Sequence, residues 1–320
     1  MIESPTATAF KVDSNDTLEE VDAPLLSEEQ KSEKMKLVES DLFLVKQKPI
    51  TAKMFTAVKH LKAQGGRLAA YRGLHVMVIY HVIHSLIVLL FTSGTENPII
   101  RSCVAVVTTI AMCRLHMTWT HIIISAPSTK RWWRRFPSVK AGKNIIIPTA
   151  IYAVAVEAAV YIPRILFLTV DDQLRNPGAY GNNPNTVQKM ALIELIGVFL
   201  IAVGTVILVV VPAEVTLKRV QASMLPEEED SIVPFDRTFA GKKKPEILGG
   251  SGAVGILDAW KTFDRSARIR LIKLYAKIWA IQFATTFMFI FVIIGEIRLI
   301  MGDDMFKFGK LAYANYKVQQ

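Results

Sequence analysis

Five long apolar blocks constrain this chain more than any other feature. They run from about Leu74 to Phe91, Ile99 to Ile124, Ile145 to Val170, Val187 to Val211 and Leu274 to Ile300. Each holds about 20 residues or more, enough to cross a hydrocarbon core of about 30 Å as a helix. Hydrophobic residues make up 51% of the chain and the mean hydropathy is +0.32. That excess falls in the blocks rather than evenly along the chain. The expected fold is therefore an all-α integral membrane protein with about five transmembrane helices.

Charge orders these blocks. Lys53, Lys59, Lys62, Arg67 and Arg72 precede the first. Lys130, Arg131, Arg134, Arg135, Lys140 and Lys143 lie between the second and third, with Trp132 and Trp133 as interfacial anchors. Residues 213–273 hold Lys218, Arg219, Lys242, Lys243, Lys244, Arg265, Arg268, Arg270 and Lys273. The alternate loops, 92–98 and 171–186, hold only Arg175. Bases on every second loop follow the positive-inside rule. They place the N-terminus and the large basic loops inside and the C-terminus outside. The net charge of +10 is explained by this topology and by anionic lipid. The bilayer is the expected partner, and no nucleic acid is.

The flanks differ from the bundle. Residues 1–40 carry Glu19, Glu20, Asp22, Glu28, Glu29, Glu33 and Glu39 with little apolar periodicity, which predicts a disordered acidic tail. This start has neither a secretory leader's apolar core nor the Arg-rich character of a transit peptide. Asp22-Ala23-Pro24-Leu25-Leu26 resembles an acidic-dileucine sorting signal, a five-residue pattern that also arises by chance. Met54, Phe55, Val58 and Leu61 follow helical spacing among bases, predicting a surface helix ended by Gly65-Gly66. The bundle then spans 41–300, and 301–320 form a C-terminal tail. Cys103 and Cys113 lie ~15 Å apart along one helix, too far for a disulfide.

Ionisable groups inside the apolar blocks are candidates for function, because charge in hydrocarbon is costly. His81 and His84 share a helix face. They fit a polar solute or proton site, ligands for metal or haem, or neutral rings bonded to a neighbouring helix. His121 follows Arg114 on one face, and Glu157 precedes Arg164 on another. The last two fit either an ion pair or a charged cavity lining. Pro163 is expected to kink its helix. No zinc-type spacing, phosphate loop or nucleophile elbow is present, and Gly249-Gly250-Ser251-Gly252 follows no strand. Neither a metal, nor a cofactor, nor enzyme activity is expected.

The fourth block ends in Pro212-Ala213-Glu214-Val215-Thr216-Leu217-Lys218-Arg219-Val220-Gln221. This resembles the signature of the mitochondrial carrier family, proline-x-acid-x-x-base-x-base-x-glutamine. Pro212, Glu214, Arg219 and Gln221 match, and Leu217 stands where a base is expected, beside Lys218. Gly66, Tyr71, Arg72 and Gly73 are similar to the family's second motif, with Gly65 in place of its acid. The resemblance implies three degenerate carrier-like repeats, at about 41–92, 99–170 and 187–300. It makes the five blocks helices two to six of a six-helix bundle, the first being missing or replaced by residues 41–56. The segments at Pro49 and Pro127 lack the family's acid, so the salt-bridge ring of its inner gate cannot form here. A plain reading of Pro212 is that it ends the fourth block.

By position on the resembling helices, His81, His84, Glu157, Gln282 and Thr285 would face a mid-membrane substrate. Pro212, Glu214, Lys218, Arg219 and Gln221 would be remnants of the gate. The implied activity is transport of a small solute by alternating access. Two alternatives remain: a carrier-fold scaffold or receptor without transport, and a membrane redox protein with histidine ligands. In the scaffold, the N-terminal tail or the 225–258 loop would recruit protein partners. The implied location is a mitochondrial membrane, with an endosomal or vacuolar membrane as the alternative if the dileucine pattern acts.

Overall fold

The computed structural model describes residues 7–10, 43–46, 50, 53–175, 184–244 and 249–301. Most of the acidic tail, the dileucine pattern and residues 302–320 lie outside the described residues. The chain divides into two compact units, up to Phe263 and from Asp264 onward. In the first, β1 (Ala7–Phe10) pairs antiparallel with β2 (Phe43–Lys46), Ala7 opposite Lys46. Every other described element is a helix or a helical turn.

Four helices are long and apolar enough to cross a membrane: Ala69–Thr92, Val139–Leu168, Leu192–Ser223 and Arg265–Ile300. A fifth crossing is made if the bent pair Pro98–Ala111 and Cys113–Ile124 counts as one span. The five apolar blocks thus appear as four or five helices of spanning length. Their side chains stay outward, as lipid-facing surface must: Leu208 is 76% exposed and Leu90 73%.

The surface helix α1 (Met54–Gly65) stops at Gly66, whose φ of 76° ends it. A 3-10 turn, Ala69–Tyr71, leads into α2 (Leu74–Thr92). Gly73 at this junction has φ +77°, and a Cβ there would come within 3.1 Å of the Trp119 ring and 3.2 Å of Ile123.

The second block breaks at Met112, between α3 (Pro98–Ala111) and α4 (Cys113–Ile124), and bends by 59°. No proline or glycine sits there. Instead the hydroxyls of Thr108 and Thr109 bond back to the carbonyls of Val104 and Ala105, at 2.8 and 2.9 Å. Such back-bonding bends helices. A bend lets α4, which carries Arg114, His116, Thr118, Thr120 and His121, turn into protein rather than lie against lipid.

Helix α5 (Val139–Arg175) runs as one element through Pro148 and Pro163. The fourth block is α6 (Pro184–Thr205), a π turn (Val206–Val210) and α7 (Val211–Ser223). Pro212 therefore does not end the helix. The wide turn closes with the Val211 N–H donating to the Val206 carbonyl. A turn of this kind makes room for a ring that has no N–H to offer, and the helix continues to Ser223. The short helix α8 (Ile256–Lys261) packs on α7.

The buried core sits at the basic end of this unit. One cluster joins Cys113 and Met117 of α4 to Ile145, Val220, Phe239, Val254 and Ala259. A second joins Met112, Leu115 and Ile122 to Val76 and Tyr80 of α2. Helix α4 belongs to both and is the hub. After it, Ser125 bridges to Ser231, with the Ile232 N–H donating to the Ile124 carbonyl at 2.9 Å. The Arg135 guanidinium binds both oxygens of Glu229 and the Ser125 hydroxyl beneath that bridge. Its side chain is only 5% exposed.

In the second unit, α9 (Arg265–Met301) is one continuous helix.

Gly73→Val should destabilise the protein by more than about 1 kcal/mol, from the left-handed backbone alone, with the Trp119 contact adding to it. Thermal unfolding in detergent is the measurement.

Candidate functional site

Two polar regions lie inside the first unit. One opens at the end of the bundle opposite the basic loops. The C-terminal turns of α2, the N-terminal turns of α3 and the middle of α5 enclose a cavity of about 250 Å³. Its polar lining is His84, Ser85, Thr92, Arg101 and Glu157. Thr92 ends α2 and Arg101 lies in the first turn of α3, so these two are nearest the membrane surface. His84 is about 12 Å further along α2.

The protons at His84 can be assigned. Its Nε2 lies 3.0 Å from the Thr109 hydroxyl. That hydroxyl spends its one proton on the Ala105 carbonyl at 2.9 Å. Nε2 must therefore be the donor, and in a neutral ring Nδ1 is left as an acceptor. Among the described residues neither Arg101 nor Glu157 has an opposite charge within 4 Å. Arg164 is exposed and does not pair with Glu157.

The second region surrounds α4 and α7. His116, Thr120, His121 and Gln221 are all buried, Gln221 completely. The Thr120 hydroxyl lies 2.7 Å from the Gln221 side-chain oxygen, and Gln221 Nε2 lies 2.9 Å from His116 Nδ1. Lys218 Nζ is 3.3 Å from His116 Nε2, 3.1 Å from Thr120 Oγ1 and 4.9 Å from the centre of the Trp119 ring. An ammonium and an amide N–H then both aim at His116, although a neutral imidazole accepts at only one nitrogen. The conflict closes if the Gln221 amide is turned over, a choice set by the network. His116 Nδ1–H then donates to the amide oxygen. The amide nitrogen donates to Thr120, whose own proton goes to the His116 carbonyl at 3.2 Å. His121 Nε2 donates to the Gln221 backbone carbonyl at 2.8 Å.

Beyond His121, towards the basic loops, a wider cavity of about 830 Å³ is lined by Arg134, Arg135, Glu229, Arg237 and Lys243 among others. Its wall includes the turn after Asp236, where Phe239 and Ala240 take φ values of 52° and 58°. Asp236 holds them there. It accepts from the Thr238 hydroxyl at 2.6 Å and from the amides of Thr238 and Ala240 at 2.8 and 2.7 Å. The Thr238 hydroxyl, and next the Ala240 amide, keep its carboxyl below the usual carboxylate range. Phe239 is thereby set under the Arg219 guanidinium, 4.9 Å from ring centre to Cζ.

The residues singled out from the sequence separate. His84 and Glu157 share the outer cavity; His81 does not line it, being exposed with its ring centre 6.1 Å from that of Trp119. Gln282 and Thr285 lie in the second unit. Of the gate remnants, Lys218 and Gln221 join the α4 network. Arg219 donates to the Ala259 carbonyl at 2.8 Å and to the Thr262 hydroxyl at 2.9 Å, fastening α8. Pro212 follows the π turn, and Glu214 lies one turn before Lys218. Arg101, His116 and Thr120 were not singled out. Polar spacing on the second block carried a signal for the last two; for Arg101, at the edge of a block, there was none. Among the described residues no three His, Cys, Asp or Glu side chains come together to hold a metal.

Gln221→Leu should cost about 1–3 kcal/mol for each buried group it leaves unsatisfied. Combined with Thr120→Val the loss should be less than additive, since both act on one network; thermal unfolding of the single and double variants checks this. The depressed Asp236 carboxyl stabilises its turn at pH values above the unfolded pKa, and that contribution fades as pH falls through the lower folded value. Acidification below about pH 4 should therefore speed amide exchange at Thr238 and Ala240, while Asp236→Asn exchanges fast already at neutral pH. Compared with protein families, curated proteins and solved structures, the chain gives no significant match.

Proposed function

We propose that this protein moves a small polar solute across a membrane, as a divergent bundle of mitochondrial-carrier type in a mitochondrial membrane. One observation carries the reading. Arg101, Glu157 and His84 come from three helices to one cavity of about 250 Å³, and among the described residues neither charge has an opposite one within 4 Å. Arg101 is exposed at the outer end of the cavity and Glu157 is half-buried deeper in the bundle; a carboxylate inside a bundle is normally neutralised by a neighbour, because leaving it alone is costly. Charges held apart around a cavity are arranged for something that enters it. The buried polar groups of α4 and α7, and the wide basic cavity beyond them, give such a solute polar surroundings on the inner side.

The carrier-like reading of the repeats rests on the Pro212–Gln221 and Gly66–Gly73 segments. It is supported by the order of elements on the basic side, where a short surface helix, a turn and a long apolar helix follow one another.

A scaffold or receptor without transport is the second reading. It is favoured by the fixed contacts of Lys218, Arg219 and Gln221, which are engaged in holding α4 and α8. The 225–258 loop would then be the surface that recruits a partner.

The full chain, reconstituted in liposomes, should take up at least one labelled solute from a panel of amino acids, carboxylates, amines and nucleotides. Glu157→Gln and His84→Leu should each reduce that uptake at least about tenfold with unfolding temperature little changed. Folded protein that takes up nothing in the panel would overturn the transport reading in favour of the scaffold.

A further inference from the structure

We infer that the solute of the outer cavity is a small zwitterion, an α-amino acid with a short side chain; the inference rests on the transport reading above. The cavity is lined by one cation, the exposed Arg101, and one anion, the half-buried Glu157, with His84, Ser85, Thr92 and the apolar Val88, Leu89 and Ala105. A dicarboxylate would leave Glu157 facing a like charge. A diamine would do the same to Arg101. A neutral solute would leave the half-buried Glu157 without a counter-charge in the cavity, which is the expensive outcome. A molecule with one carboxylate and one ammonium satisfies both.

Direction follows from the hydrogen-bond assignments. Arg101 is a donor only, and it sits in the first turn of α3, where the helix dipole adds positive potential at the same end. That end takes the carboxylate. Glu157 is an acceptor, and His84, with its Nε2 proton committed to Thr109, keeps an acceptor at Nδ1. That side takes the ammonium. Size is restrictive as well. Water occupies ≈ 30 Å³ in the liquid, so about 250 Å³ is the room of about eight waters. A nucleotide does not fit; alanine or serine does, with its side chain against Val88 and Leu89.

The test uses the full chain in liposomes and labelled L-alanine, with three competitors in excess: N-acetyl-L-alanine, which lacks the ammonium, L-alanine methyl ester, which lacks the carboxylate, and L-serine. Uptake of alanine is expected, blocked by serine and by neither derivative. Glu157→Gln and Arg101→Gln should each raise the half-saturating alanine concentration at least about tenfold. The competition needs no variant, so it decides the matter even if one of these fails to fold. Competition by either derivative equal to that of serine overturns the inference. Uptake of succinate or putrescine without alanine overturns it too, while the transport reading stands. No uptake of any of these or of the wider panel by folded protein overturns both.

Discussion

A buried amide in a membrane protein has no water to turn to, and Gln221 is completely buried. Its partners must come from the chain, and they come from α4: His116, Thr120 and, through the backbone carbonyl, His121. Lys218 adds a cation whose charge is spread over His116, Thr120 and the Trp119 face. Removing any one member strands the others at a cost set by desolvation rather than by the bond lost. Much else follows from this knot. It fixes the distance between α4 and α7, it requires α4 to be turned inward, and it leaves the lipid-facing surface to helices that carry almost no polar groups. Helix α4 is short and nearly all buried, which is the reverse of the long apolar helices around it.

The two ends of the first unit solve opposite problems. At the basic end charges are matched at close range. Arg135 meets Glu229 under the Ser125–Ser231 bridge, and Arg219 is clasped by the Ala259 carbonyl, Thr262 and the faces of two phenylalanines. Networks of this sort make a rigid floor, to which Arg72 adds two bonds to the Ile122 and Ala126 carbonyls while its buried Nη1 has no partner among the described residues. At the other end, among the described residues, Arg101 and Glu157 have no opposite charge within 4 Å, and both line the cavity between α2, α3 and α5. The paired charges are concentrated where the bases are dense, and the unpaired ones lie at the other end.

Hydropathy made the spanning helices legible, because length and apolarity are read directly from sequence. The break at Met112 was not, since its cause is two threonine hydroxyls bonding to their own helix and not a proline or glycine. Pro212 misled in the other direction: the helix runs on past it behind a widened turn, as α5 runs on through Pro148 and Pro163, and nothing in Val206–Val210 announces that widening. The gate-like residues were visible as a motif, but their use was not. Lys218 and Gln221 became partners of α4 because of how α7 is rotated, which is a tertiary fact. The cost of polar groups in hydrocarbon pointed to His84 and Glu157, which line one cavity, and the same argument applied to His116 in the second block, whose partners on α7 are a matter of tertiary packing.

The π turn before Pro212 has a consequence for register. A π turn is one residue longer than the α turn it replaces, and one residue is about 100° of rotation in an α-helix. Every side chain from Val211 to Ser223 is therefore phased by that single extra residue. Without it, the face that now turns Lys218 and Gln221 towards α4 would swing by a quarter turn, and other side chains would meet His116 instead. The widened turn works as a phase shifter: it lets one unbroken helix be apolar and outward-facing in its upper half and meet a different neighbour on each side below, α4 through Lys218 and Gln221 and α8 through Arg219.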